Sequence, residues 1–139
     1  MKVRGTTLIE NIMPNPHTYL VTIGTDIGQF TGVAVCREED YPYESEYHGY
    51  ELAEMKATIE YARAKRKYYD AKLKALTEFW REMSDTRTYN ARDFWVKKIR
   101  VAVDRADFNR MMWAKRVDTL KEKYYEKIKS FDTASRRKG

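Results

Sequence analysis

Cysteine, histidine and long apolar runs are scarce in this 139-residue chain, and each scarcity closes a route. The single cysteine, Cys36, excludes an intrachain disulfide and a multi-cysteine zinc site, and reads as a small buried side chain rather than a nucleophile. The two histidines, His17 and His48, stand far apart without an acid or second ligand at metal spacing, and read as surface or hydrogen-bonded side chains. No apolar run approaches the ~20 residues that cross a bilayer, and no charged segment leads into an apolar stretch and cleavage site, so a soluble intracellular protein is expected. Leu, Ile, Val and Phe number only 26, a share at which strongly charged chains are usually disordered. Eleven Tyr, six Met and three Trp raise the large apolar and amphipathic residues to 46, which supports a core built on aromatics and rejects disorder.

What the chain has is charge, unevenly placed. The total is +6, yet residues 1–48 hold three Lys/Arg against seven acids, and residues 49–139 hold 24 against 14. A basic half of this kind attracts anions, whether nucleic acid, nucleotide or an acidic protein face. The length suits a single domain over 1–139: a sheet region at 1–48, a long helical hairpin at 49–131 and a basic tail at 132–139.

The first 40 residues read as strands and turns. Thr18–Ile23 and Phe30–Arg37 are rich in β-branched and aromatic residues, with Gly24-Thr25-Asp26-Ile27-Gly28 as the turn between them. Met13-Pro14-Asn15-Pro16 separates this hairpin from a first strand expected at Val3 to Glu10. An acidic, Tyr-rich linker, Glu38 to His48, leads to a helix expected to start at Gly49, and the C-terminal Ser135 to Gly139 reads as a frayed tail.

The remainder carries a regular heptad period. Leu52, Met55, Ile59, Ala62, Arg66, Tyr69, Leu73, Leu76, Trp80 and Met83 alternate spacings of three and four. After a break at 84–90 a second series runs Val96, Ile99, Val103, Ala106, Arg110, Trp113, Val117, Leu120 and Tyr124. The expected fold class is therefore α+β: a small N-terminal antiparallel β-sheet followed by two long α-helices forming an antiparallel helical hairpin. The first helix would be roughly 50 Å long. Apolar residues beyond the seam, including Ile128, Phe131, Met112 and the pairs Tyr68-Tyr69 and Tyr124-Tyr125, point to a homo-oligomer, a dimer or higher, with a hexamer within range.

Folding the two series about the break faces Leu73 with Val103, Ile59 with Val117 and Leu52 with Tyr124. It also brings Arg66 and Arg110 to one level, roughly 33 Å from the turn by helix rise. Two guanidiniums in a seam need neutralising. Asp70 and Asp107 offer this locally, each to the arginine of its own helix; a bound anion offers it across the seam, with Arg63 and Arg105 near the same level. Tyr89, Asn90 and Phe94 cluster at the interhelical turn, where they fit either base recognition or an ordinary helix start with Asn90 as its cap. Trp80, Trp95 and Trp113 read as core or interface aromatics.

The stretch Ile23-Gly24-Thr25-Asp26-Ile27-Gly28, then Thr31-Gly32-Val33-Ala34-Val35, looks like the first hairpin of RuvC-type nucleases and actin-like ATPases, where an Asp at a strand end holds a metal. Those folds need further acids on later strands, and the helical remainder supplies no such strands. The stretch Gly28 to Cys36, then Asp40, Gly49, Leu52, Ala53 and Ala57, resembles the sheet-to-helix junction of the phage anti-Thoeris sponge proteins, across residues 28–57 at motif level and 18–130 in architecture. The resemblance implies an oligomeric, non-enzymatic protein of the infected bacterial cytoplasm. Such a protein sequesters cyclic ADP-ribose isomers such as glyco-cyclic ADP-ribose, with cyclic di- or trinucleotides at separate sites in some members. It also implies ligand contacts from an aromatic and an Asn near the interhelical region and from helix arginines. Asn90, Phe94, Arg105 and Arg110 are of that type and place, and Arg66, Arg63, Asn109 and Tyr89 complete the candidate set. No catalytic residue, metal or cofactor is expected. The alternative is a basic helical hairpin that binds nucleic acid or an acidic host factor.

Overall fold

The computed structural model describes the backbone of residues 5–84 and 89–138 and the side chains of residues 5–82 and 97–131. Three strands, β1 (Thr7–Asn15), β2 (Thr18–Thr25) and β3 (Gly28–Val35), form an antiparallel sheet in the order β1-β2-β3. A 3-10 turn over Glu38–Tyr43 leads into α1 (Glu46–Ser84) and α2 (Tyr89–Lys138), two long helices that pack against each other. No helix among the described residues is long and apolar enough to cross a membrane. By contacts the chain divides into two compact units, Met1–Ala62 with Arg116–Gly139, and Arg63–Lys115; we call them the sheet unit and the hairpin unit.

In the sheet unit, β2 alternates as a half-buried strand should: Tyr19, Val21 and Ile23 are buried and the residues between them are not. Gly32 and Ala34 of β3 are buried in the same way. Ala53, Ala57 and Tyr61 of α1, four residues apart, are buried too, and Gly32 is the point where strand and helix backbones meet. A Cβ there would lie 1.9 Å from the Ala53 carbonyl oxygen and 2.6 Å from the Ala57 nitrogen. Small side chains on the helix and none on the strand allow this approach. The Tyr61 hydroxyl donates to Asp26 Oδ1 at 2.7 Å, tying the β2–β3 turn to the helix.

Several sequence expectations shift. The first strand lies at Thr7–Asn15 rather than Val3–Glu10, running through Pro14 with ladder irregularities at Leu8/Glu10 and Ile12/Asn15. It is an edge strand, where a missing N–H is tolerated. Helix α1 begins at Glu46 and not Gly49; Gly49 lies in its first turn, where the Tyr19 ring sits so close that a Cβ would come within 2.3 Å. The tail expected to fray continues as helix to Lys138, and α2 starts at Tyr89, which places Asn90 inside the first turn instead of at the cap.

In the hairpin unit, Ile99, Ala106 and Trp113, each seven residues from the next, are buried as the heptad requires. On α1, among the described residues of this unit, the buried one is Lys65, one position before the Arg66 that the period placed in the seam; Arg66 is exposed. The Lys65 ammonium stands 5.7 Å from both the Tyr69 and the Trp113 ring centroids. Its stem is covered by apolar surface and its charge faces two π-systems, so the seam avoids two opposed guanidiniums. In the sheet unit the helix pairing is slid by most of a turn from the expected register. His48 lies against Phe131 at 4.3 Å between ring centroids, Glu51 pairs with Lys127 at 3.0 Å, and Tyr124 is level with Lys56 rather than Leu52.

Candidate functional site

In the hairpin unit a cleft of about 560 Å³ opens on one face of the helix pair. From α1 it takes Tyr69 and Lys72, one turn apart; from α2 it takes Lys97, Lys98, Val101, Ala102, Arg105, Ala106 and Asn109, which recur at helical spacing. The alanines are small enough to leave the depth, and Ala106 forms part of the buried seam beneath. Among the described residues four cations, an amide and a phenol line the cleft, and no carboxylate does. Such a lining attracts an anion of about nucleotide size: guanidinium and ammonium groups bind phosphate, an aromatic face meets a base, and an amide reads its edge. The Tyr69 ring is held edge-on by Tyr68, with centroids 5.1 Å apart.

Of the eight candidates read from the sequence, Arg105 and Asn109 line this cleft. Arg110 does not. Its Nη2 donates to Asp107 Oδ1 at 2.7 Å, and its Nε lies 3.7 Å from Asp70 Oδ1 on the other helix. The hydrogen bond to Asp107, opposed by partial burial and reinforced by both carboxylates, holds the guanidinium pKa above its ordinary value. Asp70 thus reaches across to Arg110 instead of pairing along α1 with Arg66. Arg66 and Arg63 are exposed and line no part of the cleft. The side chains of Tyr89, Asn90 and Phe94 lie outside the described residues. Tyr69, Lys72, Lys97 and Lys98 were missed as site residues; the available signal was their place beside the seam residues, Lys98 before Ile99 and Lys72 before Leu73.

A second polar centre lies in the sheet unit. Glu44 accepts from the Tyr19 hydroxyl at 2.7 Å and from His17 Nδ1 at 2.6 Å. His17 sits in the β1–β2 turn at φ 64°, and its ring stacks on Tyr41 at 3.6 Å. Burial alone would raise the Glu44 pKa, but the hydrogen bonds from Tyr19 and His17 and the charge of His17 outweigh it and hold the carboxyl below its usual range. Burial, then the adjacent Glu44 carboxylate, push the Tyr19 phenol well above its ordinary value. Burial likewise raises the Cys36 thiol, with Glu44 and Asp40 adding to it, although the side chain is half-buried and not fully buried as expected. Asp26, the acid of the nuclease-like hairpin, accepts from Tyr61, and among the described residues no three His, Cys, Asp or Glu side chains are grouped to hold a metal ion. Comparison of the chain with protein-family models, curated proteins and solved structures found no match.

Proposed function

We propose that this chain is a non-enzymatic phage anti-defence protein of the cyclic ADP-ribose sponge kind. It binds cyclic nucleotide immune signals such as glyco-cyclic ADP-ribose in the hairpin-unit cleft, with cyclic di- or trinucleotides as further ligands. Sequestration in the cytoplasm of the infected bacterium blocks Thoeris-type immunity. The observation that carries this reading is the cleft itself, where four cations stand with Tyr69 and Asn109 around about 560 Å³. Arg105 takes a phosphate through its forked donors, Lys72, Lys97 and Lys98 add charge without directional demand, and Tyr69 offers a face to the base. Among the described residues the lining holds no carboxylate, imidazole or thiol to remove a proton, which favours retention over turnover. Exposed apolar side chains on the hairpin unit, Phe108, Met111, Tyr68 and Phe79, support assembly as a homo-oligomer.

The test is to purify the protein from cells making the signal, heat it and weigh what is released. Intact cyclic nucleotide in a whole-number ratio to the chain is expected, with Arg105→Ala retaining far less. A linear or cleaved product would make the protein an enzyme. Sedimentation supplies the second arm, since a mass of 16.6 kDa at micromolar concentration would contradict the oligomer.

The charge of the hairpin unit, 15 basic against 7 acidic side chains, favours one rival, a nucleic-acid binder. Duplex binding over an extended basic face weakens steeply and log-linearly with salt, whereas a pocket holding two phosphates shows a shallow slope.

A further inference from the structure

The sheet unit holds a cavity of about 490 Å³ that the nucleotide reading does not use. Leu52, Ile128, Tyr124 and Phe131, from the two helices, give it an apolar and aromatic wall, and the end of β3 closes the other side. Among the described residues four charged side chains also line it, and three are already engaged. Arg37 and Asp40 face each other at 3.4 Å, and Glu44 is held by Tyr19 and His17. The fourth, Lys56, is half-buried with its ammonium 5.8 Å from the Tyr124 ring centroid, and no carboxylate lies within ion-pair distance of it among the described residues. A cation partly withdrawn from water over an aromatic ring, without a counter-anion, is left short of solvation that a ligand can restore.

We infer that this cavity is a binding site for a small aromatic monocarboxylate, with the ring against Tyr124, Phe131 and Leu52 and the carboxylate on the Lys56 ammonium. The wall selects a planar apolar body, because rings packed edge-on or offset gain beyond the area they bury. The charge balance selects a single negative charge. Asp40 and Glu44 on the same cavity repel a second one, so a phosphate dianion or a nucleotide pyrophosphate is disfavoured here, in contrast to the cleft of the hairpin unit.

Calorimetric and NMR titration of the full chain with indole-3-propionate tests this, alongside tryptamine, which keeps the ring and reverses the charge. Saturable binding of one indole-3-propionate per chain is expected, with tryptamine at least tenfold weaker. Lys56→Met, which keeps most of the aliphatic stem, should weaken the carboxylate at least tenfold, and Lys56→Arg should restore most of the affinity. Should the Met variant fold poorly, Ile128→Trp, which fills the cavity from α2, should abolish binding by itself. Equal affinity for the two probes, an unchanged affinity in Lys56→Met, or the absence of saturation at millimolar probe would overturn the assignment. Arg105→Ala should leave indole-3-propionate binding intact, so failure of this site and failure of the nucleotide cleft are distinguishable.

Discussion

The two units use the same pair of helices in opposite electrostatic settings. The sheet unit carries 12 basic and 14 acidic side chains, and the hairpin unit 15 and 7. In the sheet unit three acids are engaged internally: Glu44 by Tyr19 and His17, Asp26 by Tyr61, Glu51 by Lys127. Among the described residues of the hairpin unit most cations lie on the surface, and one, Lys65, is buried with its ammonium beside two aromatic rings. Polar groups that close on one another fix a structure, whereas cations gathered on one face are what the proposed anion site draws on.

The contrast predicts different ways of breaking each unit. The largest effect belongs to the hairpin unit, where Trp113→Ala empties the seam beneath Lys65 and removes one of its two rings. A loss of about 3–5 kcal/mol is expected from urea unfolding. The sheet unit should instead fail by addition: Gly32→Val places carbon against the backbone of Ala53 and Ala57, which cannot yield as a side chain would. A loss of about 3 kcal/mol is expected, read from the same midpoints. Tyr61→Phe keeps the ring against Phe30, 5.8 Å between centroids, and deletes the hydrogen bond to Asp26, for about 1 kcal/mol.

Smaller still is the pH response of the Glu44 centre. Because the folded carboxyl lies below its unfolded value, its contribution is complete above the ordinary carboxylate pKa of about 4.3 and disappears as pH falls through the lower folded value. Tyr19 runs the other way. Its raised phenol contributes stability that is complete below about 10 and disappears as pH climbs through the folded value. Melting temperature against pH should therefore fall at both ends, and Glu44→Gln should flatten the acid limb; an unchanged acid limb would mean that the centre carries no net stability. The smallest effect is expected of Arg110→Ala. Its ion pairs with Asp107 and Asp70 are largely solvated, so the melting temperature should barely move, and nucleotide retention should fall less than in Arg105→Ala.

Much of the fold was legible because periodicity reports burial. The two heptad series point to both helices and to the buried positions Ile59, Ala62, Ile99, Ala106, Trp113, Val117 and Leu120. Period alone does not choose between adjacent cations, and it is Lys65 rather than Arg66 that is buried, with its ammonium 5.7 Å from the Tyr69 and Trp113 ring centroids. The Glu44 centre joins residues 25 and 27 apart in sequence, with no spacing rule to announce it. β1 was misplaced because Pro14 reads as a breaker, and only an edge position tolerates it. The cleft was half legible. Arg105 stands out by its level beside Arg110 and by the type the family resemblance implies, and Asn109 belongs to the same candidate set, whereas Lys72, Lys97 and Lys98 look like any solvated flank until both helices stand together.

The most direct measurement is a calorimetric titration of glyco-cyclic ADP-ribose into the wild type, Arg105→Ala and a sheet-unit control, Lys121→Ala, at low and high salt, with the ligand recovered afterwards. Saturation at a small whole-number ratio, a shallow salt slope, at least a tenfold loss in Arg105→Ala alone and an unaltered ligand are expected. Equal losses in both variants with a steep salt slope would show bulk charge in place of a site, and a cleaved ligand would show an enzyme.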